Sequence, residues 1–362
     1  MHAYFFSKNP NPEYACHWLV SLAEGFSELG ISSYGNRNIA LLANGNGFLI
    51  KYEEGFSHKE ADFLIFGAES YKDNDDMDQV IQQIVKSKNK KCVSIFIDSF
   101  DGVRTPGFSK GAQSCDIVLK CHYNKKYKYP KNFYPWQFGV TNRILDSIHP
   151  LSFEDKKKQL LLNFRTKHQL RDYMNELLLP IYGQYMEINT TTETFSAEGF
   201  GEKDLLYYKQ TKGRHFPQYY DRLSESQYCA AYGGVFAIPW GNYSKYTAFI
   251  ARKINEIIPL FKYDRVRQWD SWRLWEAWTA ACCTIHVDFE KYGCVLSVMP
   301  TNGVHYIGVN IGQPHKIEEI LSDEKRVREI AENGRNFVLE HYTPKVVAQR
   351  LLELVSTYRD SH

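Results

Sequence analysis

The N-terminal 160 residues alternate between short apolar runs and stretches with apolar positions at helical spacing. Residues 2–6 are apolar, and Asn9-Pro10-Asn11-Pro12 marks a loop. Residues 15–29 set Trp18, Leu19, Leu22, Phe26 and Leu29 along one helical face and stop at Gly30. Residues 31–34, 61–66, 92–97 and 115–120 read as strands, and 76–87 as a helix with Val80, Ile84 and Val85 inward. This alternation predicts a doubly wound parallel sheet. Residues 125–142, K-K-Y-K-Y-P-K-N-F-Y-P-W-Q-F-G-V-T-N, carry no helical period and read as a basic, aromatic surface loop leading towards a second domain.

The pattern then restarts. Residues 159–164 (Q-L-L-L-N-F) read as a buried strand, followed by Arg165-Thr166-Lys167-His168 and a helix over 169–179. Residues 209–220 read as a polar loop, 221–226 as a helix, 227–231 as a short strand and Tyr232-Gly233-Gly234 as a glycine turn. Residues 254–261 form another apolar run. Asp270-Ser271 suits a helix N-cap, the next residues form a short helix, and 283–287 form a β-branched buried strand. Residues 305–309 read as a strand and 326–354 as helix broken at Pro344. The expected organisation is residues 1–155 as one α/β domain, 156–340 as a second, and 341–362 as a terminal helix.

Composition narrows the class. Net charge is only +2 and charged residues make up 24%, so nothing argues for a general nucleic-acid binder. The eight cysteines form no C-x-x-C pair and read as reduced thiols. The N-terminus M-H-A-Y-F-F-S-K-N-P has no secretory pattern, and no run reaches ~18 apolar residues. A cytoplasmic protein is expected, with peripheral contact to a membrane left open.

Candidate chemistry follows from position. Ligands of open α/β sheets bind at the carboxyl ends of strands. Glu69, Asp98 and Asp101 follow strands there, although each also fits an acidic turn or cap. His17 lies in the first turns of the helix after the first strand. Arg165 and Lys167, on a strand-to-helix turn, suit phosphate. Arg273 and Glu276 lie three apart on one helix face, a solvated ion pair in one reading and a ligand-binding pair in the other. Asp73-Asn74-Asp75-Asp76 fits a D-x-D spacing but opens a helix, where acids are favoured anyway.

Three segments resemble glycosyltransferases of the two-domain GT-B fold, of exostosin-like and group-1-like type. They are 219–233 (Y-Y-D-R-L-S-E-S-Q-Y-C-A-A-Y-G), 270–285 (D-S-W-R-L-W-E-A-W-T-A-A-C-C-T-I) and 330–354 (I-A-E-N-G-R-N-F-V-L-E-H-Y-T-P-K-V-V-A-Q-R-L-L-E-L). The middle block is similar to S-x-R-x-x-E-A-x-x-x-G-C-x-x-I, with Ala281 where the family has glycine. The resemblance implies two Rossmann-like α/β domains facing across a cleft, with the last helix crossing back to the N-terminal one. It implies sugar transfer from a UDP- or GDP-linked donor to a hydroxyl acceptor, a glycan or lipid-linked molecule. Glu276 would hold the ribose. Arg165, Lys167 and Arg273, with amides near Gly233 and Gly234, would face the diphosphate, and Tyr232 would stack on the base. A general base would come from Asp98, Asp101 or His17. No metal and no cofactor is expected, and Glu276→Ala is expected to weaken the donor without harming the fold. The alternatives are a nucleotide-sugar epimerase, a phosphorylase and a non-catalytic binding protein.

Overall fold

The computed structural model describes residues 1–8, 17–43, 45–71, 76–100, 106–164, 169–192, 201–236 and 266–361. In the N-terminal half the strands are β1 (His2–Phe6), β2 (Ser32–Gly35), β3 (Ile39–Leu41), β4 (Phe48–Ile50), β5 (Phe63–Gly67), β6 (Val93–Asp98), β7 (Ile117–Lys120) and β8 (Phe133–Pro135). Six of them form a parallel sheet in the order β2-β1-β5-β6-β7-β8. The hairpin β3/β4 is a separate two-stranded sheet, joined to β2 by the bridge between Tyr34 and Lys51. Its strands are too short to show a period in the sequence.

The C-terminal half carries β9 (Lys157–Leu161), β10 (Glu187–Asn189), β11 (Ser226–Ala230), β12 (Val235–Phe236), β13 (Val266–Gln268), β14 (Cys283–Val287) and β15 (Ile307–Val309). Five of these form a second parallel sheet, β10-β9-β11-β14-β15. Both sheets are doubly wound: the chain leaves β1 to one side and returns beyond it at β5, and does the same around β9. Each sheet therefore has a topological switch point, between β1 and β5 and between β9 and β11.

The last helix, Pro344–Ser361, returns to the first half and packs on the first helix, His17–Glu28. Gly25 makes that approach, since a Cβ there would collide with the Pro344 carbonyl. Tyr358 donates to Asp116 at 3.0 Å and Arg359 to the Lys91 carbonyl at 3.0 Å, fixing the far end. The larger apolar cluster runs through both halves by way of these helices, Trp136 and Val140.

The expected surface loop at 125–142 is instead a joint. Its aromatic side chains are used for packing: Tyr129 stacks on Tyr123 at 4.1 Å, and Trp136 and Phe133 are buried. Just before it, Asn124 donates to the carbonyls of Val266 (3.1 Å) and Tyr292 (2.9 Å). His122 Nδ1 accepts the amides of Trp269 and Asp270 at 3.2 and 3.1 Å. The Asp270 carboxylate takes the Phe138 amide and the Trp275 indole N–H, both at 2.7 Å. Asp270 therefore bridges the halves rather than capping its helix, and Ser271 occupies the N-cap without a side-chain cap bond. Burial pushes the Asp270 carboxyl up to about 6. The polar loop expected over 209–220 is also shorter, because the helix Glu202–Gln210 runs into it and Pro217 opens the helix Pro217–Ser224.

The helix Trp272–Thr279 ends in the A-A-C turn. Lys156 Nζ caps it on the carbonyls of Ala280 (2.5 Å) and Ala281 (3.0 Å), and Arg335 adds a bond to Thr279 (3.1 Å). Ala281 has φ +50°, the left-handed region in which glycine is the natural residue. That conformation costs an L-residue roughly 1–2 kcal/mol, against about 0.5–1 kcal/mol of extra chain entropy lost by glycine. Ala281→Gly is therefore expected to stabilise the fold by about 0.5–1 kcal/mol, read as a higher midpoint of chemical unfolding. A lower midpoint would contradict this account of the turn.

Candidate functional site

Both switch points present polar side chains. On the first sheet, His17 opens the helix after β1 and Glu69 follows β5. On the second, Asn163 follows β9, and Tyr232 to Gly234 follow β11. The two halves meet near His17 through rings. His17 lies against Trp272 at 4.5 Å between centroids, and His215 lies against the same indole at 4.9 Å. His17 and His215 are 6.5 Å apart, edge to face.

At the centre is Glu276, 3% exposed. Its Oε2 accepts the Tyr219 hydroxyl at 2.6 Å, and its Oε1 lies 2.5 Å from His215 Nε2. Burial alone would raise its carboxyl, but His215, Tyr219 and Arg273 outweigh that and hold it down at about 2. Arg273 belongs to the same arrangement. Its guanidinium clasps the side chain and the carbonyl (3.0 Å) of Asn163, and it lies over the rings of Phe164 (5.0 Å) and Tyr219 (5.7 Å). The Trp272–Thr279 helix is thus pinned to the end of β9 by the same cation that helps neutralise Glu276.

His17 Nε2 donates to the Gly139 carbonyl at 2.7 Å, which leaves Nδ1 as a buried lone pair without a partner. Burial and the nearby Arg143 charge depress its pKa to about 3, so the ring is neutral. Glu69 folds back over Gly67, beside Trp18. Both of its carboxyl oxygens are buried without a partner, and burial drives its pKa up to about 8. A carboxyl so desolvated and unpaired is protonated at neutral pH.

The other expected site residues fall as follows. Asp98 is completely buried at the end of β6, paired with Lys120 at 3.3 Å and accepting the amides of Phe100 and Gly107 at 3.2 Å. It is therefore held inside the first sheet and not presented to an acceptor. Tyr232 is fully buried as well: its hydroxyl donates to Asn175 at 2.6 Å and its ring packs on Phe164 at 5.1 Å, so it offers no face to a base. Gly233 is needed for packing, since a Cβ there would strike Gln268 and Trp269 backbone. The Gly234 amide is spent on the Gln268 carbonyl at 3.0 Å and is not free for phosphate. Asp101, Arg165 and Lys167, and residues 73–75 of the D-x-D spacing, lie outside the described residues. Among the described residues, no group of three or more His, Cys, Asp or Glu is placed to hold a metal. No helix among them is long and apolar enough to cross a membrane.

The sequence reading passed over His215, Tyr219, Trp272, Asn163 and Arg143. His215 sits in K-G-R-H-F-P, which looks like an ordinary polar turn; its only signal is the aromatic-proline pair after it. Arg143 sits in T-N-R-I-L, where an arginine follows an N-cap threonine within an apolar run. That is the one hint that the cation is buried.

Two predictions follow from the burial of these acids. Glu276→Ala is not neutral for the fold, because it strands Arg273 and His215; a loss of about 3–5 kcal/mol is expected. Denaturant unfolding measures it, and a loss under 1 kcal/mol would refute the network. Glu69, raised from 4.5 to about 8, favours the folded state below its unfolded value and loses that contribution as pH rises through 8. Glu69→Gln should therefore be more stable than the parent above pH 8, by a few kcal/mol at most. The gap should close towards pH 4.5, and equal stability at pH 9 would show that the carboxyl is not confined as described.

No protein-family model matches the chain, and no curated protein matches it. Solved structures do. An α-glucosyltransferase in complex with UDP-glucose and DNA containing an abasic site aligns with a TM-score of 0.52 and 10% identity, over 98% of this chain and 99% of its own. A sucrose-phosphate synthase from Thermosynechococcus elongatus aligns with a TM-score of 0.51 and 11% identity over 100% of both chains. HepE from Anabaena in complex with UDP-glucose aligns with a TM-score of 0.50 and 10% identity, over 99% of this chain and 100% of its own. Likeness at these identities is likeness of fold, and it spans the whole chain. Together with the two doubly wound sheets, the facing switch points and the returning last helix, it gives this protein the GT-B fold.

Proposed function

We propose that the protein is a glycosyltransferase, of exostosin-like or group-1-like type, that moves a sugar from a UDP- or GDP-linked donor to the hydroxyl of a glycan or lipid-linked acceptor. The observation that carries this reading is Glu276, ionised and buried at the switch point of the second sheet. A carboxylate offers about four lone-pair sites, and Tyr219 and His215 engage two of them. The remaining capacity suits the vicinal hydroxyls of a ribose. The similar folds whose structures hold UDP-glucose make a nucleotide-sugar donor the natural candidate.

In this reading Arg165 and Lys167 receive the diphosphate, and Arg273 supports the site by holding Glu276 charged rather than by touching phosphate. Cations and helix termini can neutralise a departing diphosphate without a metal, so metal-independent transfer is proposed. Of the two proposed bases among the described residues, His17 has a free lone pair, while Asp98 is committed to Lys120. A ring held neutral with a pKa near 3 is a weak base. Its suited role is to accept a hydrogen bond from a substrate hydroxyl.

A thermal-shift series with UDP, GDP and CMP and their sugar conjugates tests the reading. A ligand at a hundred times its Kd stabilises by about 2.7 kcal/mol, a readily measured rise in Tm. One nucleotide should raise Tm saturably, and Glu276→Gln, which keeps the side chain's shape, should weaken it at least tenfold. No shift with any nucleotide, or undiminished binding by the variant, would overturn the proposal.

A further inference from the structure

Arg143 lies in the short helix Asn142–Ser147 and is 3% exposed. Its Nη1 donates to Gln210 Oε1 at 3.4 Å, and its guanidinium lies 5.6 Å from the Tyr207 ring centre. Nε and Nη2 are buried with no partner. Those two atoms form one edge of the guanidinium fork, the edge that grips two oxygens of a carboxylate or phosphate at once. The nearby carboxylates do not fill it. Glu24 accepts the Asn142 amide at 2.8 Å, and Glu276 is held by Tyr219 and His215.

The Arg143 charge also acts on His17, His215 and Tyr220, so these groups surround one region. The His215 ring lies 5.4 Å from that of Tyr220. His17 Nδ1, His215 Nδ1 and the Tyr220 hydroxyl are each buried without a partner. Every such group costs about 1–3 kcal/mol if left unsatisfied. Here they come from three separate segments and gather between the two halves, where the Trp272 ring lies against both histidines. The unmet needs are complementary. The Nε–Nη2 edge of Arg143 lacks an acceptor, whereas the two histidine nitrogens lack hydrogen-bond donors. An anion without hydroxyl groups would satisfy only the first, and a neutral sugar only the second.

We propose that this cluster of unpartnered groups is a substrate subsite for a sugar bearing an oxyanion, with the anion on the Nε–Nη2 edge of Arg143 and neighbouring hydroxyls donating to Nδ1 of His17 and of His215. The inference rests on the glycosyl-transfer reading for the ligand's being a sugar; the anion-binding edge is a property of this chain. A sugar acid and a sugar phosphate share the required chemistry.

Calorimetric titration of the full chain separates them. Glucuronate, glucose 6-phosphate, glucose and inorganic phosphate are the probes, and UDP is titrated in parallel. One of the two acidic sugars should bind at least tenfold more tightly than both glucose and inorganic phosphate; which one does so names the source of the anion. Arg143→Lys, which keeps the charge but loses the fork, should weaken that probe at least tenfold. His17→Gln, which keeps the donor to Gly139 and removes the Nδ1 lone pair, should weaken it at least threefold. The wild-type comparison stands even if a variant fails to fold. If neither acidic sugar is preferred while UDP binds, the subsite is overturned and the donor reading survives. If UDP fails to bind but an acidic sugar is held through Arg143, the subsite stands and the donor reading falls. Phosphate as tight as glucose 6-phosphate, with glucuronate no better than glucose, overturns the subsite.

Discussion

A carboxylate removed from water has to be compensated by its surroundings, and much of the second half of this protein is arranged around that requirement at Glu276. Tyr219 reaches it from the helix before β11, and His215 from the turn before that helix. Arg273, from its own helix, adds positive charge while clasping Asn163 at the end of β9. One buried charge thus ties together the end of one strand, two helices and the turn before one of them. Removing the carboxylate alone would leave the buried Arg273 charge unmatched and the His215 ring without its partner, which costs more than the pair contributes as a unit. The same arrangement keeps an ionised acid where a strand-order reversal opens the edge of the sheet, the place where α/β folds receive ligands.

The two halves do not merely face each other. Asn124, His122 and Asp270 join backbone to side chain across the interface, and the returning helix closes the other side over Gly25. Between these joints the contact becomes polar: His17 from the first half meets Trp272 and His215 from the second, with Arg143 beside them. Several buried polar groups that lack partners gather here. On the proposed reading they are the groups a sugar substrate would complete.

How much of this could be read from the chain depends on whether the deciding contact was local. Strand β14 and the helix before it were legible, since a β-branched apolar run and a short amphipathic helix carry their own periodicity. The alternation of strands and helices gave the fold class for the same reason. The glycine turn at Gly233 was legible as a turn, but its cause, the close approach of Gln268 and Trp269, is a tertiary fact. Tyr232 looked like a stacking ring for want of that fact. Asp98 read as a free acid at a strand end, yet Lys120 is its register partner on the neighbouring strand, so the pairing lay within reach of a topology argument. The family glycine replaced by Ala281 was seen as a departure; only the left-handed backbone reveals what it costs. His215 and Arg143 were hidden most completely. Each sits in a segment that reads as connection, and each gains its role from partners more than fifty residues away.

The most direct test of the account is a crystal structure of the protein grown with UDP. The account predicts the nucleotide between the two sheets, with its ribose hydroxyls on the Glu276 carboxylate and the Tyr219, His215 and Arg273 contacts around that carboxylate retained. A nucleotide bound elsewhere, or one in the cleft whose ribose leaves Glu276 untouched, would contradict it.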